Sequence, residues 1–249
     1  MVALCAVVLE WDAAAYDRIA APQERWAMPV LDRLPLRGDE RVLDAGCGTG
    51  RVTAHLVRRL PRGRVVALDA SAAMLAQARE RLGDSVDYVH ADIGSPLPLG
   101  APVDAAFSTA AFHWVPDHDA LFTHMAGAIR PGGALVAQCG GVGNVAGPLS
   151  AAAALGVTSD HPHHFATPEE TAGRLARAGF GDIWTWLQPE HAAFASREEL
   201  EVFLLTVVLR SHVETMSGAE RHDFAQAVID RLPGGRIDYV RLNILARRR

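Results

Sequence analysis

The sequence predicts a doubly wound α/β fold. The expected sheet is mostly parallel and seven-stranded, with an N-terminal helical segment and a helical lid between the last two strands. Three observations carry this. Short apolar runs alternate with helical periodicity from residue 41 to residue 139. The first run, Arg41-Val42-Leu43-Asp44-Ala45, passes straight into the glycine turn Gly46-Cys47-Gly48-Thr49-Gly50 and then a helix start. The chain has 249 residues, 49% hydrophobic and 21% charged, enough for one large domain with an insertion.

Residues 10–36 form a helical cap ahead of the first strand. Trp11, Ala15 and Ile19, then Trp26, Val30 and Leu34, recur at helical spacing, and Pro22 breaks the run. Tyr16-Asp17-Arg18 and Pro22-Gln23-Glu24-Arg25-Trp26 carry more aromatic and polar groups than a plain core helix needs. After Arg51, the residues Val52, Leu56 and Leu60 mark the next helix. Arg64–Leu68 is a second strand ending in Asp69. Ser71 caps a helix to Leu82 that buries Met74, Leu75, Ala78 and Leu82. Val86–His90 is a third strand, ending at Ala91-Asp92-Ile93. Pro96, Pro98 and Pro102 leave little room for the next helix. Asp104–Thr109 is a fourth strand, Asp119–Ile129 a helix stopped by Pro131-Gly132-Gly133, and Ala134–Cys139 a fifth strand.

The second half is looser. Gly143-Asn144-Val145 ends the fifth strand, and Leu149–Leu155 is a short helix. Thr167-Pro168-Glu169-Glu170 starts a helix to Ala178, closed by Gly179. Asp182–Leu187 is a sixth strand. Helices Ser196–His212 and Ser217–Leu232 make the lid, about 196–232, and Arg236–Ala246 is the last strand. From the lid, Arg210, His212 and Arg221 are cations that could meet an anionic substrate or simply face solvent.

Composition excludes several classes. The net charge of −5 implies no attraction to nucleic acid, and Arg247-Arg248-Arg249 reads as a solvated tail. The three cysteines, Cys5, Cys47 and Cys139, form no C-x-x-C pair, which argues against a disulfide framework and fits a reducing cytoplasm. Val2–Leu9 lacks the basic flank of a signal segment, and Trp11-Asp12 interrupts the approach to Ala13-x-Ala15. No apolar run reaches the ~18 residues of a membrane span. His161, His163 and His164 near Asp160 lack helical spacing or a distant carboxylate. They read as a solvated or substrate-lining loop, with no metal site expected.

The glycine turn narrows the function. A dinucleotide fingerprint needs a glycine at 51, where Arg51 stands. The acid before the turn, Asp44, suits a cationic ligand better than a pyrophosphate. Asp69, at the end of the second strand, is placed to accept hydrogen bonds from ribose hydroxyls. The string Asp44-Ala45-Gly46-Cys47-Gly48-Thr49-Gly50 resembles the first motif of class I S-adenosylmethionine-dependent methyltransferases. The resemblance implies a Rossmann-like fold in which residues 37–141 bind the cofactor and residues 142–249 form the substrate side of a single methyltransferase domain, 1–249. It implies that Gly46, Gly48 and Gly50 cradle the methionine moiety, with Asp44 near its ammonium group. Asp69, Ala70, Met74, Asp92 and Ile93 would surround the ribose and adenine, and Thr109 would lie by the sulfonium. In similar enzymes the N-terminal segment closes over the cofactor, which makes Tyr16 and either Gln23 or Arg25 candidates to touch it.

His113 and Trp114 would then face the substrate, Trp114 to position it. A hydroxyl or amine acceptor would need a base, for which His113 is the nominee. An ionised carboxylate would need none. The stretch Ala111-Phe112-His113-Trp114-Val115-Pro116-Asp117-His118 and the closing Arg241-Leu242-Asn243-Ile244-Leu245-Ala246-Arg247 are similar to trans-aconitate methyltransferases, shading into malonyl-carrier-protein methyltransferases. The expectation is methyl transfer from S-adenosyl-L-methionine to a small molecule, a trans-aconitate-like carboxylate, by a cytoplasmic monomer or homodimer with no membrane or nucleic-acid partner. The alternatives are N-, C- or other O-methylation of a metabolite or carrier-bound acyl group, or cofactor binding without catalysis.

Overall fold

The computed structural model describes residues 12–19, 21–159 and 163–249. The readings of Val2–Leu9, Cys5, Trp11, Asp160 and His161 lie outside the described residues. The strands are β1 (Arg41–Ala45), β2 (Arg64–Asp69), β3 (Val86–His90), β4 (Val103–Thr109), β5 (Ile129–Gly140), β6 (Phe180–Ala192) and β7 (Ile237–Arg248). They form one seven-stranded sheet in the order β3-β2-β1-β4-β5-β7-β6. The first five strands run parallel, and β7 enters antiparallel between β5 and β6. The order reverses direction between β1 and β4. That switch point is where a doubly wound sheet opens a ligand crevice at the C-terminal strand ends.

The helices are α1 (Ala13–Ile19), α2 (Ala21–Leu31), α3 (Arg51–Arg58), α4 (Ala72–Leu82), α5 (His118–Ala128), α6 (Ala146–Ala154), α7 (Pro168–Arg177), α8 (Arg197–Phe203) and α9 (Gly218–Ile229). On one sheet face Leu43, Leu68, Ala106 and Leu135 pack with Leu121, Phe122 and Met125 of α5 and Leu175 of α7. On the other, Val42, Val65, Phe107 and Val136 pack with Val30 and Leu31 of α2 and Leu56 of α3. The lid has its own core, in which Phe203, Phe224 and Val228 meet Tyr239 of β7 and Trp26 of α2. Helix α2 therefore belongs to two layers: its second half is part of the sheet sandwich, and Trp26 is keyed into the lid. Among the described residues no helix is long and apolar enough to cross a membrane.

The lid lies between β6 and β7 as the sequence predicts, but several boundaries move. The Pro131-Gly132-Gly133 run expected to precede β5 lies inside it. Val103 pairs with Ile129 and Ala105 with Ala134, so the run bulges out opposite Asp104. Arg130 closes this bulge on the Asp104 carboxylate at 2.6 Å. The same strand ends at Gly140, before Val145, and α6 begins with Val145 in the left-handed region at φ 47°. Strand β6 extends well beyond Asp182–Leu187, because Pro189–Ala192 pair with Val240–Ile237 of β7. The expected single helix 196–212 stops at Phe203. A wider turn follows over Leu204–Val208, where the Leu209 N–H reaches the Leu204 carbonyl, and then a tight turn Arg210–His212.

Two adjacent glycines separate two kinds of constraint. A Cβ on Gly133 would lie 2.6 Å from the Asp104 carbonyl oxygen, whereas Gly132, at φ 80°, faces open space. Gly133→Ala is expected to cost about 2–3 kcal/mol through overpacking, and Gly132→Ala about 1 kcal/mol through backbone conformation alone. Urea unfolding of both variants checks the order.

Candidate active site

The site is assembled where β1 ends. Gly46, Gly48 and Gly50 take φ of 81°, 55° and 79°, values that side-chain-bearing residues rarely adopt. The Gly46 and Cys47 amides donate to the Leu68 carbonyl at the end of β2. The Gly48 N–H donates to Asp69 Oδ2 at 2.8 Å, and Asp69 Oδ1 accepts the Ser71 N–H at 2.9 Å. Asp69 thus ties the glycine turn to the start of α4. A Cβ on Gly46 would collide with Ala111, and one on Gly50 would lie 2.9 Å from Leu82, while above Gly48 there is open space.

Asp44 lies beneath this turn, 2% exposed. Its Oδ2 accepts the Thr53 hydroxyl at 2.7 Å, and among the described residues no cation pairs with it. Burial pushes its carboxyl up to about 7, the Thr53 hydrogen bond opposes this, and the neighbouring Asp69 charge adds to it.

The N-terminal helices close over the turn through a charge cluster. Asp17 of α1 accepts from Thr49 Oγ1 at 2.6 Å, Arg51 Nε at 3.0 Å and Arg81 Nη2 at 2.8 Å. Burial alone would raise Asp17, but hydrogen bonds from Thr49, Arg81 and Arg51 hold it down at about 2. Arg51 also reaches Glu24 of α2 at 3.2 Å, and Glu24 takes His55 at 2.9 Å.

Between turn and cap is a cavity of about 50 Å³, walled by Tyr16, Gln23, Asp44, Gly48, Arg51 and Thr109. Gln23 Oε1 is buried there with no hydrogen-bond partner among the described residues. Burial pushes the Tyr16 phenol up to about 12; Asp69 raises it further and Arg241 pulls it down, so Tyr16 is within electrostatic reach of both ends of the site. Next to Thr109, Ala110 adopts φ 57°, local strain of the kind that accumulates at ligand sites.

Residues 42–133 match a family described as a methyltransferase domain. The chain is 42% identical over 128 residues to a trans-aconitate 2-methyltransferase of Azoarcus sp., covering 51% of this chain and 50% of that protein. To the trans-aconitate 2-methyltransferase of Escherichia coli it is 40% identical over 129 residues, covering 52% of this chain and 50% of that protein. The chain thus spans about half the length of the curated relatives it matches. A solved phosphoethanolamine N-methyltransferase 2 of Haemonchus contortus shares its fold, with a TM-score of 0.63, 19% identity, and coverage of 95% of this chain and 57% of that one.

Tyr16, Gln23, Asp44, Gly46, Gly48 and Thr109 converge on the one cavity described above. The other expected cofactor residues lie outside its lining. Gly50 closes against α4, and Met74 is buried on the inner side of that helix. Ala70 gives its carbonyl to His90 Nε2 at 2.9 Å. Asp92 Oδ1 accepts the Gly94 N–H at 2.8 Å, and Ile93 turns into the core beside Leu43 and Leu68.

His113 lies in a tight turn, Phe112–Trp114, against the end of β5. Its Nδ1 faces the Gly140 N–H at 3.3 Å, which assigns the ring proton to Nε2. Burial, with His163 and Arg241 nearby, pushes its pKa well down, so the ring is neutral. Its ring stacks on His163, and Trp114 packs on His163 with ring centroids 4.3 Å apart. The described part of the histidine loop is therefore an aromatic wall. Among the described residues no group of three or more His, Cys, Asp or Glu could hold a metal ion. From the lid, His212 approaches His163, while Arg221 is spent on the Met216 and Glu214 carbonyls.

Sequence reasoning missed the Asp17–Arg51–Arg81 clamp. Its signal was Arg51 itself, since a cation at a helix N-terminus opposes the helix dipole unless acids surround it. It also missed the buried polar strip of Gln138, Arg241 and Asn243. Gln138 Nε2 donates to Asn243 Oδ1 at 2.9 Å, and Arg33 Nη1 donates to the same oxygen at 2.7 Å.

Two outcomes follow from these charges. The fold raises Asp44 from 3.8 to about 7, so the native chain keeps a proton that the unfolded chain releases. Stability accordingly falls as pH rises through that window and levels off above it. Asp44→Asn is expected to remove that slope and, without ligand, to be more stable at about pH 8 by up to ~4 kcal/mol; thermal unfolding against pH checks it. Asp17→Asn is expected to speed amide exchange in residues 12–19 by about tenfold while leaving β1 and β4 protected, read by hydrogen exchange.

Proposed function

We propose that the chain is an S-adenosylmethionine-dependent methyltransferase that O-methylates a carboxylate of a small acid similar to trans-aconitate. The observation that carries this is the pairing of a buried, uncompensated Asp44 with the unpartnered Gln23 Oε1 across one cavity. Both are acceptors, and they suit the ammonium group of an amino-acid moiety. The open space above Gly48 admits a ligand close to the backbone. Gly48 N–H and Asp69 then frame the ribose side, and Asp92 lies at the next strand tip.

The cavity of about 50 Å³ is far below the roughly 300–1,000 Å³ of ligand pockets. The cap, α1 with the start of α2, therefore lifts to load the site and closes on it again. Tyr16 and the Asp17 clamp supply that closure and exclude water.

The cofactor, when bound, supplies a methyl group already activated on a sulfonium. The domain's own residues align the acceptor beside Thr109 and keep the site dry. An ionised carboxylate needs no proton removed. The neutral His113, with its proton on Nε2, fits this: it donates a hydrogen bond to orient the acceptor rather than accepting its proton. The acidic balance of the chain disfavours nucleic acid as acceptor. The described cysteines, Cys47 and Cys139, are free and buried, in keeping with a reducing cytoplasm.

Calorimetry with S-adenosylhomocysteine tests the cofactor assignment, and a methyl-transfer screen of small carboxylic acids tests the reaction. Binding with no transfer to any acid leaves the non-catalytic alternative. His113→Ala is expected to lower kcat about a hundredfold through lost positioning, with product-cofactor affinity changed less than about threefold; equal loss of both would move His113 into the cofactor site.

A further inference from the structure

The strongest unassigned feature is a buried guanidinium. Arg241 is 3% exposed, on β7, the one strand of the sheet flanked by antiparallel neighbours on both sides. Its only side-chain hydrogen bond among the described residues is from Nε to Gln138 Oε1 at 3.3 Å. Among the described residues no carboxylate forms a salt bridge with it, Glu190 acting only at longer range, and its two terminal nitrogens have no hydrogen-bond partner. Aromatic rings surround it: the guanidinium carbon lies 5.4 Å from the Trp26 ring centre and 5.9 Å from that of Tyr239. Those rings lie 4.7 Å apart. Trp26 Nε1 and Tyr239 Oη are themselves buried with no hydrogen-bond partner among the described residues.

A buried cation without a counter-anion is costly, and ring faces offset only part of that. Three unsatisfied donor groups in one cluster, with no carboxylate in salt-bridge contact and Glu190 acting only at longer range, is the donor set of an anion receptor. Its position is as informative as its chemistry. Arg241 pairs across the ladder with Gly140, whose N–H meets His113 Nδ1. Gln23, one helical turn before Trp26 on α2, lines the cavity at the glycine turn. Tyr16 is within electrostatic reach of both Asp69 and Arg241. The cationic cluster does not line the glycine-turn cavity, but α2 and Tyr16 connect the two beneath the cap.

We propose that Arg241, with the Tyr239 hydroxyl and the Trp26 indole N–H, binds a non-reacting carboxylate of the acceptor. This rests on the methyltransferase reading and deepens it: the acceptor class is a di- or tricarboxylate, held by one carboxylate at Arg241 while another is presented beside His113 and Thr109. A monocarboxylate of the same length has nothing to offer Arg241 once its single carboxylate is at the reacting position. Arg241 acts by binding and sets acceptor choice; it moves no proton.

The test measures binding of tricarballylate and of butyrate by calorimetry, on the full chain saturated with S-adenosylhomocysteine. Wild type is expected to prefer tricarballylate. Arg241→Gln is expected to weaken tricarballylate about tenfold to a hundredfold, the range for hydrogen bonds to a charged group, and to leave butyrate unchanged. Tyr239→Phe removes one donor without altering the packing and is expected to weaken tricarballylate about fivefold; it carries the test if Arg241→Gln does not fold. Arg241→Lys is expected to fall between wild type and Arg241→Gln, because it keeps the charge and loses the fork. Tricarballylate binding that Arg241→Gln and Tyr239→Phe leave unchanged overturns the anchor and leaves the methyltransferase reading standing. Equal weakening of both acids makes Arg241 structural and also overturns it. Failure of wild type to bind S-adenosylhomocysteine sinks the methyltransferase reading instead.

Discussion

The functional end of this molecule depends on the Asp69 carboxylate. One oxygen takes the Gly48 amide and the other the Ser71 amide, so a single side chain at the tip of β2 fixes the glycine turn after β1 and the entry to α4. The turn has no side chains with which to hold itself, and its positive φ angles give it many alternatives in the unfolded chain. The hydrogen bonds to Asp69 and to the Leu68 carbonyl select one of them. With the turn in place, Asp44 is trapped underneath, Thr53 is brought onto it, and Arg51 is presented to the cap.

Charge then divides the region beneath the cap. Asp44 and Asp69 make one end acidic, and their mutual repulsion and burial keep Asp44 protonated to near neutrality. Arg241 makes the other end cationic, with aromatic faces and one amide oxygen in place of a carboxylate. Neither arrangement serves the stability of the free protein: burial forces Asp44 to keep its proton, and Arg241 is a buried charge without a salt-bridge partner. Both are understandable in a site that takes a cation at one end and an anion at the other. Where charges are fully paired, as in the Asp17–Arg51–Arg81 cluster, the groups are partly exposed and hold the cap by modest, screened contacts.

The cap and lid share residues with both layers. Trp26 sits in the lid core while Val30 and Leu31, on the same helix, pack on the sheet. Helix α1 thus precedes an element held in place by its second half. The lid reaches the same region from above, through Tyr239 at the start of β7 and His212 beside the histidine wall.

Much of this was readable in residue order. Strand–helix alternation specified the parallel half, because each element's apolar period is a local property. Asp44, the glycines and Tyr16–Gln23 were visible because turns and polar-rich helices depart from what packing alone requires. Chain order could not show that Pro131-Gly132-Gly133 bulges within β5, since the strand is completed only by pairing with β4 and β7. Nor could it show that Ile93 turns into the core or that Arg51 clamps the cap. Arg241 was invisible for the same reason: its meaning lies in what is missing around it, and an absent counter-ion is a fact of three-dimensional neighbours. Sequence determines which segments can form each element and where the backbone must turn; only the packing of β7 between β5 and β6 decides which side chains are shut away from water and so which charges must wait for a ligand.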